Sequence, residues 1–356
     1  MIRNEQPVQQ ASVSVALPRL LVTIPTSRPV NEFAFNPITN RCYFLLDDDR
    51  LGVMNTKTNK ILTTLRVGQL AQYLVVNPRT NRVYVSNFYD GTVSVIHGIT
   101  NKVITTIPVG ERCDEIAVNP CTNFIYVSTI SLSSKNGSLV VLNGKTNTIE
   151  RRIAFKGRPS NIVVNEAANR IYVTNTSTDS VSILNGLHHK ILKTVKVGRN
   201  PVITPVLTKK RSQLVVANNL SRYCSVVNLR TAKVSKIGLG RRQSGITYNP
   251  NTNRIFITSA QVTGKGKLFV INGCTKRIVK TLTVPTFSNT LIDPASNYLY
   301  VSHSPEEGKA SVTIYHGGSL KQLTKLQLGA SIRTMAIHPK TNRLYVGGDN
   351  RIMVIS

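Results

Sequence analysis

Short stretches of alternating apolar and polar residues follow one another along the whole chain, and most of them end at Pro, Gly, Asn or Asp. In residues 73–78 an apolar stretch ends at a proline, which cannot continue the hydrogen-bond ladder of a central strand. Residues 82–86 then alternate with the period of a β-strand, which places Val83 and Val85 on one face and Tyr84 on the other. The Thr-Asn pair between the two stretches predicts a turn, because Asn tolerates the left-handed backbone conformation.

Two further stretches complete this unit. Residues 92–96 follow an Asp-Gly pair, which is typical of a hairpin turn. Residues 102–107 follow a second Thr-Asn pair and end at Pro-Val-Gly. The four stretches predict four short antiparallel strands, which we label A to D in chain order, and four such strands make one blade of a propeller.

The unit recurs along the chain at intervals of 41 to 46 residues, which indicates one supersecondary unit copied eight times. Its anchor aromatic, or the residue in its place, stands at Tyr43, Tyr84, Tyr126, Tyr172, Val215, Phe256, Tyr300 and Tyr345. We therefore expect an all-β fold, a β-propeller of eight four-stranded antiparallel blades. Seven blades is the alternative, if the weak fifth unit around Val215 is irregular.

The two ends of the chain are predicted to share one blade. The last unit supplies strands A to C at 334–337, 344–346 and 352–355, and residues 19–25 match the strand D that ends the other units. Pairing these segments would remove exposed sheet edges that invite aggregation. We expect a single propeller domain over residues 15–356, preceded by a disordered tail at 1–14.

The repeat phrase NPxTNRxYVSN, followed by VSVIxGxTNKVxxTIxVG, resembles the YVTN-type β-propeller repeat family over about residues 15–356. The resemblance implies a propeller of prokaryotic type, and members of this family are often found in the periplasm or at the cell surface. It implies no single activity and no shared catalytic residue. This chain departs from the family pattern because it shows no export signal, and because Asn36, Asn77, Asn119 and Asn249 stand where the family often has Asp. The absence of tryptophan argues against a WD40 chain.

The chain is strongly basic. Lys and Arg number 45 against 16 Asp and Glu, which gives a net charge of +29, and a domain this basic usually meets an anionic partner. The predicted A–B and C–D turns open on one side of the disc, the turn face, and the D–A and B–C loops open on the other, the loop face. This assignment gives net charges of +18 to the turn face, +3 to the loop face and +8 to the outer strands.

The turn face carries twenty cations against two acids, Glu166 and Asp293. The cations predicted to contact an anionic polymer are Arg41, Arg79, Arg82, Lys102, Lys145, Arg170, Lys209, Lys210, Arg211, Arg254, Lys276, Arg277 and Arg343. Contacts to phosphate or another repeated anion position a polymer without reading its sequence. The alternative interpretation is that these cations are solvated turn residues inherited with the repeat. Aromatic residues that could stack on bases are sparse, and Phe88, Tyr89 and Tyr223 are predicted on the loop face, so base-specific recognition is not expected.

A second group of arginines lies on the predicted D–A loops, where they could ring the mouth of the central channel. These are Arg28, Arg112, Arg158, Arg199, Arg241, Arg242 and Arg333. Guanidinium groups suit carboxylate or phosphate ligands. The alternative is that they pair with Asp114, Glu115 and the acids of the B–C loops.

Few residues point to catalysis or to a metal. None of the six histidines stands at metal-ligand spacing, and the inner-strand acids Glu32, Asp114 and Glu115 cluster in two units, whereas a calcium-dependent propeller hydrolase would spread its ligands around the channel. We expect no cofactor. The five cysteines (Cys42, Cys113, Cys121, Cys224 and Cys274) form no CxxC pair and are expected to be buried thiols in a reducing compartment. No stretch is long enough for a membrane span, and the polar N-terminus favours a cytoplasmic location.

These observations lead to the interpretation of a non-enzymatic binding or scaffold propeller. Its basic turn face is expected to contact an anionic polymer, with DNA or RNA preferred and a cell-wall polymer or another protein as further possibilities. The first alternative is an interaction module of the cell surface or envelope. The second is a small-anion binder or a hydrolase at the channel mouth.

Overall fold

The computed structural model describes residues 17–134, 136–208, 212–240, 242–260, 265–286, 288–303, 310–329 and 331–356. These residues contain 32 β-strands, which form eight four-stranded antiparallel sheets. The tail predicted at 1–14 lies outside the described residues. None of the described residues belongs to a helix long and apolar enough to cross a membrane.

The sheets are the blades of a propeller, and seven of them are continuous in sequence. The first strand is β1 (Leu20–Pro25), and blade 1 comprises β2 (Val30–Asn36), β3 (Arg41–Leu46), β4 (Arg50–Asn55) and β5 (Lys60–Arg66). Blade 2 comprises β6 (Ala71–Asn77), β7 (Arg82–Asn87), β8 (Thr92–His97) and β9 (Lys102–Pro108). Blade 3 comprises β10 (Arg112–Asn119), β11 (Phe124–Ile130), β12 (Gly137–Asn143) and β13 (Thr148–Phe155). Blade 4 comprises β14 (Pro159–Asn165), β15 (Arg170–Asn175), β16 (Ser180–Asn185) and β17 (Lys190–Lys196).

The second half of the ring repeats this order. Blade 5 comprises β18 (Val206–Thr208), β19 (Gln213–Val216), β20 (Tyr223–Asn228) and β21 (Val234–Gly238). Blade 6 comprises β22 (Gln243–Asn249), β23 (Arg254–Ser259), β24 (Lys265–Asn272) and β25 (Ile278–Pro285). Blade 7 comprises β26 (Thr290–Asp293), β27 (Tyr298–His303), β28 (Ser311–His316) and β29 (Gln322–Gln327). Blade 8 comprises β30 (Ile332–Ile337), β31 (Leu344–Gly348), β32 (Arg351–Ile355) and the N-terminal strand β1.

The predicted closure of the ring is confirmed. β1 pairs antiparallel with β32, and Val22 lies opposite Val354 while Ile24 lies opposite Ile352. The two chain ends therefore complete one sheet, and no blade of the ring is left without its fourth strand.

The fifth unit is irregular, as its weak repeat signal suggested, but it still forms a blade. Its strand A has three residues and its strand B has four, against six or more for both strands in blades 1 to 4. Val215 is nevertheless fully buried at the anchor position. The irregularity shortens the strands without removing one, so the structure has eight blades and the seven-blade alternative is wrong.

Neighbouring blades pack face to face through the alternating residues of their strands. Tyr84 packs against Ile125 and Val127 of blade 3, while Val83 and Val85 pack against residues of blade 1. The two faces predicted for this strand are therefore confirmed. Burial of a side chain of this size contributes about 1.5–3 kcal/mol, and the anchor position places one between every pair of blades.

The A strands form the inner wall of the ring, because each packs beside the A strand of the next blade. Part of the channel between blades 1 and 4 is an apolar cavity of about 420 Å³, lined by residues such as Ala34, Val75 and Ala117. The D strands form the rim. Seven of the eight D strands carry a register shift near the end that adjoins the C–D turns, and such bulges protect an exposed sheet edge from pairing with another chain.

The cysteine prediction is only partly right. Cys42, Cys113 and Cys224 are buried in strands, as expected. Cys121 and Cys274 are exposed, which corrects the expectation of five buried thiols. The reason is their position, since Cys121 lies in the A–B turn of blade 3 and Cys274 in the C–D turn of blade 6.

Candidate anion-binding face

Hydrogen bonds between turns establish that the A–B and C–D turns of each blade lie side by side. The backbone N–H of Gly98 donates to the Asn81 carbonyl at 2.9 Å, and Gly144 donates to Asn123 at 2.9 Å. Asn81 and Asn123 both have positive φ, 51° and 58° respectively, as the turn prediction required. The two sets of turns therefore share the turn face.

Side-chain amides also join the turns of neighbouring blades. At the end of a strand A, an Asn donates its Nδ2 to the Oδ1 of the positive-φ Asn in the A–B turn of the next blade. These bonds are Asn36 to Asn81 at 2.7 Å, Asn77 to Asn123 at 2.7 Å, Asn119 to Asn169 at 3.1 Å and Asn249 to Asn297 at 2.6 Å.

The same Asn side chains cap their own turns. The Oδ1 of Asn36 accepts the N–H of Ile38 at 3.0 Å, and that of Asn77 accepts the N–H of Arg79 at 3.1 Å. An Asp could accept the cap but could not donate to the next blade. This double role gives a physical reason for Asn at these positions of the repeat.

In blade 7 the position at the end of strand A is occupied by an acid, Asp293. Asp293 accepts the backbone N–H groups of Ala295 at 3.0 Å and Ser296 at 3.2 Å. Among the described residues, Asp293 makes no amide bond to the following blade. The cap is therefore common to the repeat, while the link between blades depends on a pair of amides.

The predicted polymer-binding cations lie on this face wherever the structure describes them. Arg79, Lys102, Lys145 and Arg277 are exposed, and Arg41, Arg82, Arg170, Arg254, Lys276 and Arg343 are half-buried. Lys209, Lys210 and Arg211 lie outside the described residues. Some side chains bond within the protein: Arg170 donates to the Asn169 carbonyl at 3.4 Å, and Lys276 Nζ donates to Ser235 Oγ at 2.8 Å.

The half-buried arginines share one position, two residues before the anchor aromatic on the same face of strand B. In blade 6 this side chain crosses to blade 7, where Arg254 Nη1 donates to the carbonyls of Gly317, at 3.3 Å, and Gly318. In blade 2 the equivalent Arg82 lies near Tyr84. Burial raises the pKa of Tyr84 to about 12, and the positive charge of Arg82 opposes this rise.

Every ion pair formed by the described residues lies on the loop face. Asp48 pairs with Arg28 at 3.9 Å and with Arg50 at 3.5 Å. Arg333 pairs with Asp47 at 3.2 Å and with Asp349 at 3.3 Å. The described cations of the turn face form no ion pair with a described acid.

Acids of the B–C loops accept backbone N–H groups of the D–A loops. Asp49 Oδ1 accepts the N–H of Leu70 at 2.7 Å, and Asp90 Oδ2 accepts the N–H of Gln69 at 2.8 Å. Asp179 Oδ1 accepts the N–H of Asn200 at 2.9 Å. The amide of Asn136 accepts the N–H of Gly157 in the same way at 3.1 Å, so the loop face uses both carboxylates and amides as acceptors.

The arginines predicted at the channel mouth have different environments. Arg28 and Arg333 take part in the ion pairs above. Arg112 lies over the Tyr89 ring at 4.4 Å and donates Nη1 to the Tyr89 carbonyl at 3.3 Å. Arg158, Arg199 and Arg242 are exposed, and Arg241 lies outside the described residues. Of the six described arginines in this group, Arg28, Arg112 and Arg333 contact protein groups on the loop face through their side chains.

The inner-strand acids form one group on one side of the channel. Burial raises the pKa of Glu32 to about 7 and that of Glu115 to about 8, and the charges of Asp114 and Glu32 add to the rise at Glu115. Burial also raises the pKa of Asp114, against the opposing charge of Arg158. Among the described residues, no group of three or more His, Cys, Asp or Glu side chains is placed to hold a metal ion.

One crevice on the turn face was not predicted from the sequence. A cavity of about 480 Å³ opens between blades 2 and 3, and its lining includes Arg82, Lys145, Thr80 and Thr122. The sequence placed both cations on one face but could not show that they line the same crevice. The detectable signal was their position in the repeat, two residues before the anchor for Arg82 and second in the C–D turn for Lys145.

Comparison with known proteins identifies the fold. No protein-family model and no curated protein sequence matches the chain. Among solved structures, Sqt1 of Saccharomyces cerevisiae is similar with a TM-score of 0.76 at 12% identity, over 96% of this chain and 99% of that one. The dihydro-heme d1 dehydrogenase NirN, solved in complex with DHE, is similar with a TM-score of 0.75 at 14% identity, over 86% of this chain and 68% of that one. At these identities the likeness concerns the propeller fold alone.

Proposed function

We propose that the protein is a non-enzymatic binding propeller whose turn face contacts an anionic polymer, and that the preferred polymer is nucleic acid. The observation that carries the proposal is the distribution of ion pairs. All of those formed by the described residues lie on the loop face, while the described turn-face cations pair with no described carboxylate.

A polymer fits this face better than a single small ion. The cations are spread over the turns of many blades, and both turn-face acids contact protein groups, Asp293 at its own turn and Glu166 with Cys121 Sγ at 3.7 Å. A phosphodiester backbone offers charges at short, regular spacing, so several turns could be neutralised at once. The contacts would position the polymer without reading its bases, because the described turn-face cations are not interleaved with exposed aromatic rings.

The test is the affinity of the purified protein for a labelled DNA duplex across a salt series. We expect log affinity to fall linearly with log salt concentration, with a slope that corresponds to several phosphate contacts. A turn-face variant with Arg79, Lys102 and Arg277 changed to Glu should flatten the slope by roughly two to three units, at about 0.9 per lost contact. A loop-face variant with Lys156, Arg199 and Arg242 changed to Glu carries the same change in net charge and is the matched control.

We expect the loop-face variant to keep a slope within about one unit of the wild type, since its substitutions only alter the long-range field. Equal effects of the two variants would show that total charge, and not the turn face, determines binding. No binding by the wild-type protein at low salt would overturn the nucleic-acid proposal.

Membership of the YVTN-type repeat family is part of the proposal, and it favours the alternative of a cell-surface or envelope module. Exposed aliphatic side chains at the turn tips, Ile38, Ile99 and Leu187, are consistent with a partner that also offers apolar surface. In the first proposal the protein is cytoplasmic. Fractionation of the producing cells separates the two, because an envelope module would be recovered with the cell surface.

A further inference from the structure

We propose that the crevice between blades 2 and 3 is a phosphoryl-binding site, with Arg82 and Lys145 as its cationic ligands. This inference deepens the proposed function, since a nucleic-acid backbone would supply the phosphoryl group there. It also stands by itself for a small phosphate, which allows the two to be tested separately.

The direction of the strand-B arginine is set by the repeat. Arg254 of blade 6 reaches across to blade 7 and donates to the carbonyls of Gly317 and Gly318 in its C–D turn. Arg82 occupies the same position in blade 2 and faces blade 3, as its anchor Tyr84 does. Its guanidinium is therefore directed towards the C–D turn of blade 3.

In blade 3 that turn carries a second cation. Lys145 stands where blade 7 has Gly318, and both Arg82 and Lys145 line the 480 Å³ cavity. Neither side chain forms a hydrogen bond or an ion pair with any described residue. Two cations at one crevice without an acid favour an anion between them. The hydroxyls of Thr80 and Thr122, on the same lining, add neutral donors.

A glycine stands at the edge of the crevice. Gly144 lies in the lining, and a Cβ placed there would come within 2.6 Å of Asn123 Oδ1. The C–D turn of blade 3, which carries Lys145, therefore packs closely against the A–B turn of the same blade.

Neighbouring crevices have different chemistry at the same two positions. Between blades 1 and 2 the pair is Arg41 and Ile99, and between blades 3 and 4 it is Phe124 and Leu187. The Phe124 ring packs edge-on against His189 at 4.5 Å, on the side of blade 3 that faces blade 4. Phe124 also belongs to the lining of the cavity between blades 2 and 3. That crevice therefore offers cationic and hydroxyl donors for a phosphate beside one aromatic residue.

The experiment measures binding of inorganic pyrophosphate by calorimetry at low ionic strength, in the wild type and two variants. R82Q/K145Q removes the crevice cations. R79Q/K102Q removes two exposed cations of the same blade and face that do not line the cavity, and it is the matched control. We expect one pyrophosphate site in the wild type and in R79Q/K102Q, with affinity at least about tenfold weaker in R82Q/K145Q, because charge-assisted bonds to both ligands are lost. The single variant K145Q, at an exposed residue, gives the same test if the half-buried Arg82 proves necessary for folding.

Pyrophosphate binding that is absent from the wild type, or unchanged in R82Q/K145Q and in K145Q, would overturn the crevice proposal.

The duplex titration of the same variants identifies the source of the phosphoryl group. If R82Q/K145Q loses about tenfold more DNA affinity than R79Q/K102Q, the polymer backbone enters the crevice. If both lose DNA affinity equally while only R82Q/K145Q loses pyrophosphate, the site binds a free phosphate compound. Failure of the wild type to bind DNA would reject the proposed function and leave the pyrophosphate result to decide the crevice.

Discussion

The two faces of this propeller are built from the same repeat but are held together by different chemistry. On the turn face, Asn side chains cap the A–B turns and bond to the Asn of the next blade, as in the 2.7 Å bond from Asn77 to Asn123. On the loop face, carboxylates such as Asp49 and Asp90 cap the loops, and Arg333 bonds to Asp47 and Asp349. Amide-to-amide bonds join blades on the turn face, whereas the ion pairs of the described residues lie on the loop face.

This difference bears on where the net charge of +29 is compensated. On the loop face, acids accept backbone N–H groups, and three described cations, Arg28, Arg50 and Arg333, pair with acids. On the turn face most caps come from neutral side chains, with Asp293 as an acidic exception. The described turn-face cations consequently have no described acid as an ion-pair partner.

The largest effect is expected when an acid is placed in the amide network. Asn77→Asp keeps the oxygen that caps the Arg79 N–H but loses the donor to Asn123, and it sets a fully buried carboxylate against the Asn123 Oδ1. We expect a loss of about 3 kcal/mol in the free energy of unfolding at pH 7, from the lost bond and the buried charge. Urea unfolding at pH 5 and pH 8 measures it, and the loss should grow as pH rises because the buried acid ionises.

Asp293→Asn is the reciprocal control, since blade 7 already has the acid and caps its turn with it. The neutral side chain can accept the same N–H groups, so we expect a change below about 1 kcal/mol. If N77D were as mild as D293N, the amide bonds would not hold the turn face together, and the contrast between the faces would fail.

A smaller effect is expected from the acids of the inner strands, which differ from the loop-capping acids. The pKa of Glu115 is raised from its usual 4.5 to about 8 by burial and by Asp114 and Glu32. The folded state therefore holds a proton that the unfolded state releases, and the free energy of unfolding falls as pH rises from about 4.5 to 8. Glu115→Gln removes this cost, so we expect it to stabilise the protein by on the order of 2 kcal/mol above pH 8 and to change little at pH 4.

Thermal unfolding of E115Q and wild type from pH 4 to 9 gives this difference. Asp90→Asn is the comparison, because Asp90 accepts the N–H of Gln69 at 2.8 Å on the loop face. We expect D90N to destabilise by about 1 kcal/mol at neutral pH. A pH-independent difference between E115Q and wild type would show that Glu115 keeps an ordinary pKa.

Most of the fold was predictable, because the repeat carries it. The alternation around Tyr84 gave both faces of its strand, and the Thr-Asn pairs gave turns whose Asn81 has a φ of 51°. Each of these signals is local in sequence and is repeated. The weak signal at Val215 correctly marked short strands, but it could not decide the number of blades, since a shortened blade and a missing blade leave similar traces.

The candidate site was less predictable, because its contacts join different blades. Arg82 and Lys145 were each assigned to the turn face, yet their shared cavity depends on how blades 2 and 3 pack against each other. The ion pairs of Arg333 likewise join residues far apart in sequence, with Asp47 286 residues away. The repeat predicts which side chains each blade carries on each face. The contacts between side chains of different blades can be seen only in the closed ring.

The smallest effect is expected from the loss of a single ion pair or of a single exposed cation. The salt dependence of this effect should differ between the loop face and the turn face. Arg333→Gln loses exposed pairs to Asp47 and Asp349, which together contribute about 1 kcal/mol at low salt. Urea unfolding at about 0.02 and 0.5 M salt should show the loss fall to less than half, because the Debye length shortens from about 20 Å to about 4 Å.

Lys102→Gln is the control on the turn face, where no described acid pairs with the ammonium and its removal relieves repulsion. We expect K102Q to be neutral or slightly stabilising at low salt and to match the wild type at high salt. A destabilising K102Q at low salt would mean that the turn face has an internal partner for its charge, which would contradict the proposal of an external anion.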